Sequence, residues 1–309
     1  MAAPRFRFAF LHPRYWPLWL GFGLLWLLVQ LPYGVLLKLG RALGALSYRL
    51  AHSRRRIVQR NLELCFPQLN ANERERLAKE NFASTGIAVF EMAISWWWPL
   101  SRLRKLGTIE GLEYLNQAQQ QGQGVILMAA HFTTLEIGAA LLGGQHSIDG
   151  MYRTHDNPLF DWLQRGGRER HNADSLAVDR EDVRGALRLL RQGRALWYAP
   201  DQDYGRKHSL FVPLFGVNAA TVTATSSFAR LGKARVLPFT QERLADGRGY
   251  RLVVHPPFAD FPGESEEMDC LRINQWLEQA IRAHPEQYLW AHRRFKTRPE
   301  GEPSLYKKP

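Results

Sequence analysis

The run His131-Phe132-Thr133-Thr134-Leu135-Glu136 places a histidine and a carboxylate five positions apart. Histidine is the natural general base near neutral pH, provided one ring nitrogen is free and the other meets a fixed acceptor. A carboxylate in that position also balances the imidazolium as it forms, which is what acyl transfer to a hydroxyl needs. His131 follows the apolar run Val125-Ile126-Leu127-Met128-Ala129-Ala130, a buried-strand pattern. Catalytic groups in α/β folds collect where strands end and helices begin. Five helical steps rotate about 140°, so Glu136 reaches His131 only if the histidine precedes the helix and the chain turns between them. A plainer reading uses the same residues: Thr133-Thr134-Leu135-Glu136 fits a T-x-x-E capping box, with Glu136 closing a helix start. Both roles can hold together, because a carboxylate near a helix N-terminus stays ionised.

Other residues offer binding chemistry. Arg153 suits a phosphate or headgroup clamp, since guanidinium matches oxyanions bidentately, or a surface ion pair. Asp201 and Asp203 flank Gln202 before Tyr204-Gly205. A lone Asp-x-Asp is a weak metal signature, so no metal is expected, and the pair is assigned to structure and substrate positioning. Pro213 and Phe215 either shape an apolar pocket or form a strand edge and core. Arg165, Arg168 and Arg170, followed by Arg180, Arg184, Arg188, Arg191 and Arg194, form a basic series whose default reading is a solvated face.

These residues need a frame. Short apolar runs predict strands at Gly124–Ala129, Ile148–Tyr152, Ala195–Tyr198, Val236–Thr240 and Arg251–Val254. Amphipathic stretches predict helices at Leu135–Leu142, Pro158–His171, Glu181–Arg191, Ala219–Leu231 and Met268–Ala283. The alternation implies an α/β fold with a mixed or largely parallel central sheet flanked by helices. Residues 46–110 read as helical, with a capping box at Asn72 and Glu75 and three consecutive tryptophans, Trp96 to Trp98. The tryptophans are either core or the flank of a lipid cleft or membrane surface. The implied organisation is an anchor over 1–45, a helical region over 46–110, an α/β core over 111–300 and a basic tail over 301–309.

The chain has 309 residues with 41 Lys and Arg against 29 Asp and Glu, a net charge of +12. That balance favours anionic partners, and the ten tryptophans favour a membrane surface among them. No nucleic-acid module is recognisable. Cys65 and Cys270 lack metal-like spacing and are expected as reduced thiols. Tyr15–Leu37 spans 23 residues without a charge, about 34 Å as a helix and enough to cross a bilayer core. A membrane helix is expected there, interrupted by Pro17 and Pro32. Arg5, Arg7 and Arg14 precede it, while Lys38, Arg41, Arg49, Arg54, Arg55 and Arg56 follow. The heavier positive flank places the body on the cytoplasmic side; both flanks being basic also suits a segment that dips in and returns.

His131-x4-Glu136 resembles the first block of the glycerolipid and lipid A acyltransferases. Tyr152-Arg153 with Asp156-Asn157-Pro158, then Trp197 through Gly205, then Phe211-Val212-Pro213-Leu214-Phe215, resemble later blocks of the lauroyl/myristoyl late acyltransferases of lipid A biosynthesis. Pro285-Glu286-Gln287-Tyr288 and His292 through Pro299 resemble their C-terminal signature. The resemblance covers nearly the whole chain. It implies O-acyl transfer, with laurate as the expected chain, from acyl carrier protein to a 3-hydroxyacyl hydroxyl of a Kdo-lipid IV(A)-type precursor. It also implies no metal or organic cofactor, and a place at the bacterial inner membrane with the catalytic domain on the cytoplasmic side. His131 would be the base oriented by Glu136, while Arg153, Asn157, Asp201, Asp203, Gly205, Pro213 and Phe215 would contact substrate. Two alternatives are a lysophospholipid acyltransferase and a non-catalytic membrane-tethered binder of anionic lipid or nucleic acid. The first group typically carries Asp at the place of Glu136 and lacks the Asp-x-Asp-Tyr-Gly and Arg-Arg-Phe-Lys blocks. The second predicts no need for His131.

Overall fold

A computed structural model describes residues 6–172 and 174–306. Arg5, from the first basic flank, and residues 307–309 of the tail lie outside the described residues. In chain order the elements are α1 (Trp16–Leu28), α2 (Tyr33–Leu50), α3 (His52–Cys65), α4 (Ala71–Trp97), α5 (Leu100–Leu103), β1 (Gly107–Glu110), α6 (Leu112–Gln120), β2 (Val125–Met128), α7 (Leu135–Gly143), β3 (Ile148–Tyr152), α8 (Pro158–Glu169), β4 (Ala177–Asp179), α9 (Val183–Arg191), β5 (Ala195–Tyr198), β6 (Ser209–Leu214), β7 (Val217–Val222), α10 (Ala224–Gly232), β8 (Arg235–Arg243), β9 (Tyr250–Val254) and α11 (Glu266–Ala283).

The main sheet runs β1-β9-β8-β2-β5-β3-β4, and β6 pairs with β7 apart from it. Every neighbouring pair in the main sheet is parallel except β8 with β9. The α/β reading with a mostly parallel sheet is therefore correct. The central strand β2 is continuously apolar because both faces are covered: Val125 to Met128 are fully buried. One face packs against α3, α9, α10 and α11 through residues such as Leu62, Leu190, Phe228 and Ile273. The other packs against α4, α6 and α7 through Phe90, Leu115 and Ile137. A buried ion pair locks α4 to the sheet: Arg243 of β8 donates to Glu91 at 2.5 and 2.6 Å, and the Tyr250 hydroxyl donates to Glu91 at 2.7 Å.

Three expectations are corrected. The single membrane helix through Tyr15–Leu37 is two helices. α1 has 13 residues, about 20 Å, and the chain turns at Val29–Pro32 before α2. Proline lacks the N–H and clashes with the turn before it, so Pro32 starts α2 instead of continuing α1. No helix among the described residues is long and apolar enough to cross a membrane. The capping box lies two residues earlier than expected, with Asn70 accepting from Glu73 N–H and Glu73 accepting from Asn70 N–H; Glu75 instead accepts from the Tyr48 hydroxyl at 2.5 Å. Finally, Ala219–Val222 belongs to the β6–β7 hairpin, and the helix begins at Ala224. Small β-compatible residues beside a tight Phe215-Gly216 turn allowed either state, and pairing with β6 decided it.

Candidate active site

His131 sits just beyond the C-terminal end of β2, and Asp201 just beyond the end of the neighbouring strand β5. Parallel pairing brings the two strand ends side by side. His131 Nδ1 and Asp201 Oδ1 are 2.7 Å apart, and the His131 backbone N–H donates to Asp201 Oδ2 at 2.9 Å. The His131 carbonyl accepts from Leu289 N–H at 3.0 Å, so the C-terminal segment holds the turn. Trp197 lies edge-on to the imidazole at 6.2 Å between centroids. With Nδ1 committed to Asp201, Nε2 is the nitrogen left to act on a ligand. Asp201 is 1% exposed. Burial pushes its carboxyl up, but His131, through its charge and through hydrogen bonds from ring and backbone, together with Tyr288, outweighs burial and holds it down at about 2.

Glu136 does not meet His131. It lies in the first turn of α7 and accepts a bidentate ion pair from Arg168 of α8, with Nε at 3.1 and 3.2 Å and Nη2 closing the fork. Trp96 Nε1 also donates to Glu136, at 3.1 Å. The expectation that Glu136 orients His131 is thus corrected: Asp201 does so, because the end of β5 is closer to the imidazole than the first turn of α7. The capping-box reading fails too. No side chain caps α7; Thr133 Oγ1 pairs with Ser84 at 2.7 Å, and Thr134 Oγ1 donates to the Gln241 carbonyl at 2.9 Å. Burial disfavours the Arg168 guanidinium's charge, but Glu136 more than offsets this and keeps it protonated. Arg170 and His171 tie the end of α8 to the Trp96 and Ser95 carbonyls of α4. Gly167 lets that helix close on the Trp96 ring, where a Cβ would clash.

A cavity of about 380 Å³ opens beside His131. Its walls include Leu135, Ala139 and Leu142 of α7, Arg168 of α8, Gly150 of β3 and Trp197 of β5. Arg153, Arg180 and Tyr204 also line it. The guanidinium of Arg180 lies over the Tyr204 ring, 5.7 Å from its centroid. His131 and Arg168 therefore face one space, a base and a fixed cation in a cleft whose walls mix apolar side chains with polar ones such as Gln164, Asn172 and Gln202.

The other sequence candidates scatter. Arg153 lines the cavity and is mostly exposed, 3.7 Å from Asp156. Asn157 is the N-cap of α8, its Oδ1 accepting from Leu159 and Phe160 N–H at 3.0 and 3.2 Å. Asp203 is a buried brace: it accepts from Thr297 N–H and Thr297 Oγ1, both at 2.8 Å, and from Gly205 N–H at 2.9 Å. Gly205 adopts φ +94°, a conformation glycine takes without a Cβ penalty as the chain leaves this brace. Pro213 and Phe215 do not line the cavity. Phe215 packs on Phe66 and Trp290 and under Arg282, while Pro213 is exposed on β6. Sequence reasoning named Arg168 only as part of a basic face, and it missed the contacts of Trp96. The legible signal was Gly166-Gly167-Arg168 inside an amphipathic helix, where a glycine without a turn marks close approach.

A family model described as bacterial lipid A biosynthesis acyltransferase matches residues 3–297. The chain belongs to the bacterial lipid A biosynthesis acyltransferase family. It is 47% identical to the lipid A biosynthesis lauroyltransferase of Escherichia coli K12, over 98% of this chain and 99% of that one. It is 46% identical to the palmitoleoyltransferase of the same organism, over 98% of both, and 44% identical to a lipid A biosynthesis acyltransferase of Haemophilus influenzae, over 98% of both. A solved 1-acyl-sn-glycerophosphate acyltransferase, PlsC from Thermotoga maritima, is a more distant likeness: TM-score 0.39 and 16% identity, over 82% of this chain and 97% of that one. The acyltransferase is an enzyme of lipid A biosynthesis; His131 and Arg168 line its cavity, and Asp201 and Glu136 hold those two side chains in place.

Proposed function

We propose that this acyltransferase moves a lauroyl chain from acyl carrier protein to the 3-hydroxyl of a hydroxyacyl chain on a Kdo-lipid IV(A)-type precursor. The observation that carries the mechanism is the 2.7 Å contact of His131 Nδ1 with buried Asp201. Asp201 fixes the tautomer that leaves Nε2 free to accept the hydroxyl proton. The alkoxide oxygen then bonds to the thioester carbonyl carbon. The tetrahedral intermediate collapses, the C–S bond breaks, and the proton on His131 returns to the departing thiolate. Products are an ester and a free thiol, and no cofactor enters. A thioester is already activated, so base, orientation and stabilisation of the oxyanion are the enzyme's remaining tasks. Arg168, aimed by Glu136, which Trp96 holds in turn, supplies the fixed positive charge at the cavity wall. Arg153 at the same wall suits a phosphate of the acceptor. The lauroyl assignment is supported by 47% identity with a lauroyltransferase.

The enzyme works at the cytoplasmic face of the inner membrane in this proposal, lying on it rather than crossing it. Trp16, Leu20, Leu24, Leu27 and Leu31 form one exposed stripe along and just beyond α1, with Leu20 75% exposed, at helical spacing. Apolar stripes of this kind bury at the boundary of headgroups and acyl chains, and nearby Lys38, Arg41 and Arg49 suit anionic headgroups. The test is to incubate purified protein with lauroyl carrier thioester and tetra-acylated precursor and read the products by mass spectrometry. Penta-acylated product from wild type and its loss in His131→Ala are expected. Undiminished product from His131→Ala would refute the base.

A further inference from the structure

Gly150 lines the cavity, and no constraint of the fold accounts for a glycine there. It lies in the middle of β3, where glycine weakens a strand and packs nothing. Its φ is not in the left-handed region, and a Cβ built on it meets no atom within 4 Å. Neither backbone conformation nor neighbouring atoms therefore require glycine here. Gly167 of α8 is the contrast: Trp96 fills the space its Cβ would take.

The space above Gly150 is the cavity itself. Ile148, Gly150 and Tyr152 share one strand face, the side that α7 covers. Across the sheet, Gly150 stands between Trp197 of β5 and Ala177 of β4, with strands about 4.8 Å apart. Trp197 is the ring beside His131. A chain leaving the reacting carbon at His131 would pass over Trp197, cross Gly150 and continue toward Ile148, Leu142 and Gly143, which line the same cavity together with His171, Asn172 and Ser175. The row Trp197, Gly150, Ala177 is a trough because its middle member has no side chain.

We infer that Gly150 sets the length of the acyl chain this enzyme transfers, by leaving open the trough through which the chain passes to the far end of the cavity. The inference rests on the proposed donor. Relatives named for lauroyl and for palmitoleoyl transfer share 47% and 46% identity with this chain, so chain length can change between relatives while most of the sequence stays alike, as a change at a few wall positions would allow. A side chain at position 150 closes the trough. Each methylene then excluded from the cavity weakens use of that donor about fourfold.

The experiment uses the full-length purified protein and a panel of octanoyl, decanoyl, lauroyl, myristoyl and palmitoyl carrier thioesters with the tetra-acylated precursor. Wild type, Gly150→Ala, Gly150→Leu and the exposed α8 control Gly166→Ala are compared by kcat/KM for each donor, with melting temperatures alongside. Gly150→Leu is expected to move the optimum to a shorter donor and raise the decanoyl-to-myristoyl ratio by at least about tenfold. Gly150→Ala should shift it less, and Gly166→Ala not at all. Because the readout is a ratio between donors, partial misfolding does not mimic it. An unchanged donor order in folded Gly150→Leu overturns the inference, as does equal loss with every donor. Wild type that uses none of the carrier thioesters overturns instead the donor reading on which the inference rests.

Discussion

Asp201→Asn separates the geometry described here from a His131–Glu136 pair. Asn keeps the volume of Asp201 and can still accept the 2.9 Å bond from the His131 backbone N–H. At the 2.7 Å contact with Nδ1 it presents an uncharged amide. An amide N–H there forces the ring proton onto Nε2, the atom that must accept the substrate proton, and no anion remains to balance imidazolium. The same change in a serine-protease triad lowers kcat about 10⁴-fold, so kcat here should fall about 10³- to 10⁴-fold, or roughly 4–5 kcal/mol of barrier. KM should change little, since Asp201 is buried behind the imidazole. Glu136→Gln removes the anion from Arg168, not from the base. It should cost about 10- to 100-fold, the scale of a misplaced binding group. Both variants are assayed under saturating lauroyl carrier thioester, with product counted by mass spectrometry and folding checked by circular dichroism. If Asp201→Asn stays within tenfold of wild type while Glu136→Gln loses a thousandfold or more, the reasoning is refuted and Glu136 orients the base.

Stability should report the same pair. The Asp201 carboxyl falls from 3.8 to about 2 on folding, so its contribution is fully present above about pH 4 and disappears as pH drops toward 2, on the order of 2 kcal/mol. The melting-temperature gap between wild type and Asp201→Asn should narrow through that window; a gap that widens there contradicts the assignment. Asp203→Ala should lower stability by about 2–4 kcal/mol, because it orphans the Thr297 and Gly205 N–H groups at once, measured by urea unfolding. The combined change Leu20→Ser, Leu24→Ser and Leu27→Ser should cut sedimentation with anionic vesicles at least tenfold while leaving activity on detergent-dispersed substrate within about twofold. Undiminished vesicle binding would remove α1 from the membrane contact.

The main strands were legible because burial on both sheet faces leaves uninterrupted apolar runs, as in Val125–Met128. The helices α7, α8, α9 and α11 were legible from amphipathic spacing. The N-terminal segment misled because lack of charge measures apolarity, not continuity; Pro32 divides it. The β6–β7 hairpin was missed because Ala219–Val222 carries no strong local preference, and only the partner strand decided its state. The residue types for a base, a carboxylate and a guanidinium were all visible, as was the family that uses them.

Which carboxylate serves which cation was not visible. His131 and Glu136 are five positions apart and His131 and Asp201 seventy apart, yet the distant one touches the imidazole. Sequence alone determined that His131 stands at a strand end and that the chain is a lipid A acyltransferase, since both follow from local pattern and ordered motifs. Only the tertiary structure assigned Asp201 to His131 and Glu136 to Arg168. Parallel pairing of β2 with β5 lays two strand ends together, and the packing of α8 on α4 and α7 carries Arg168 to Glu136. Those contacts depend on register and helix approach, which no spacing along the chain records.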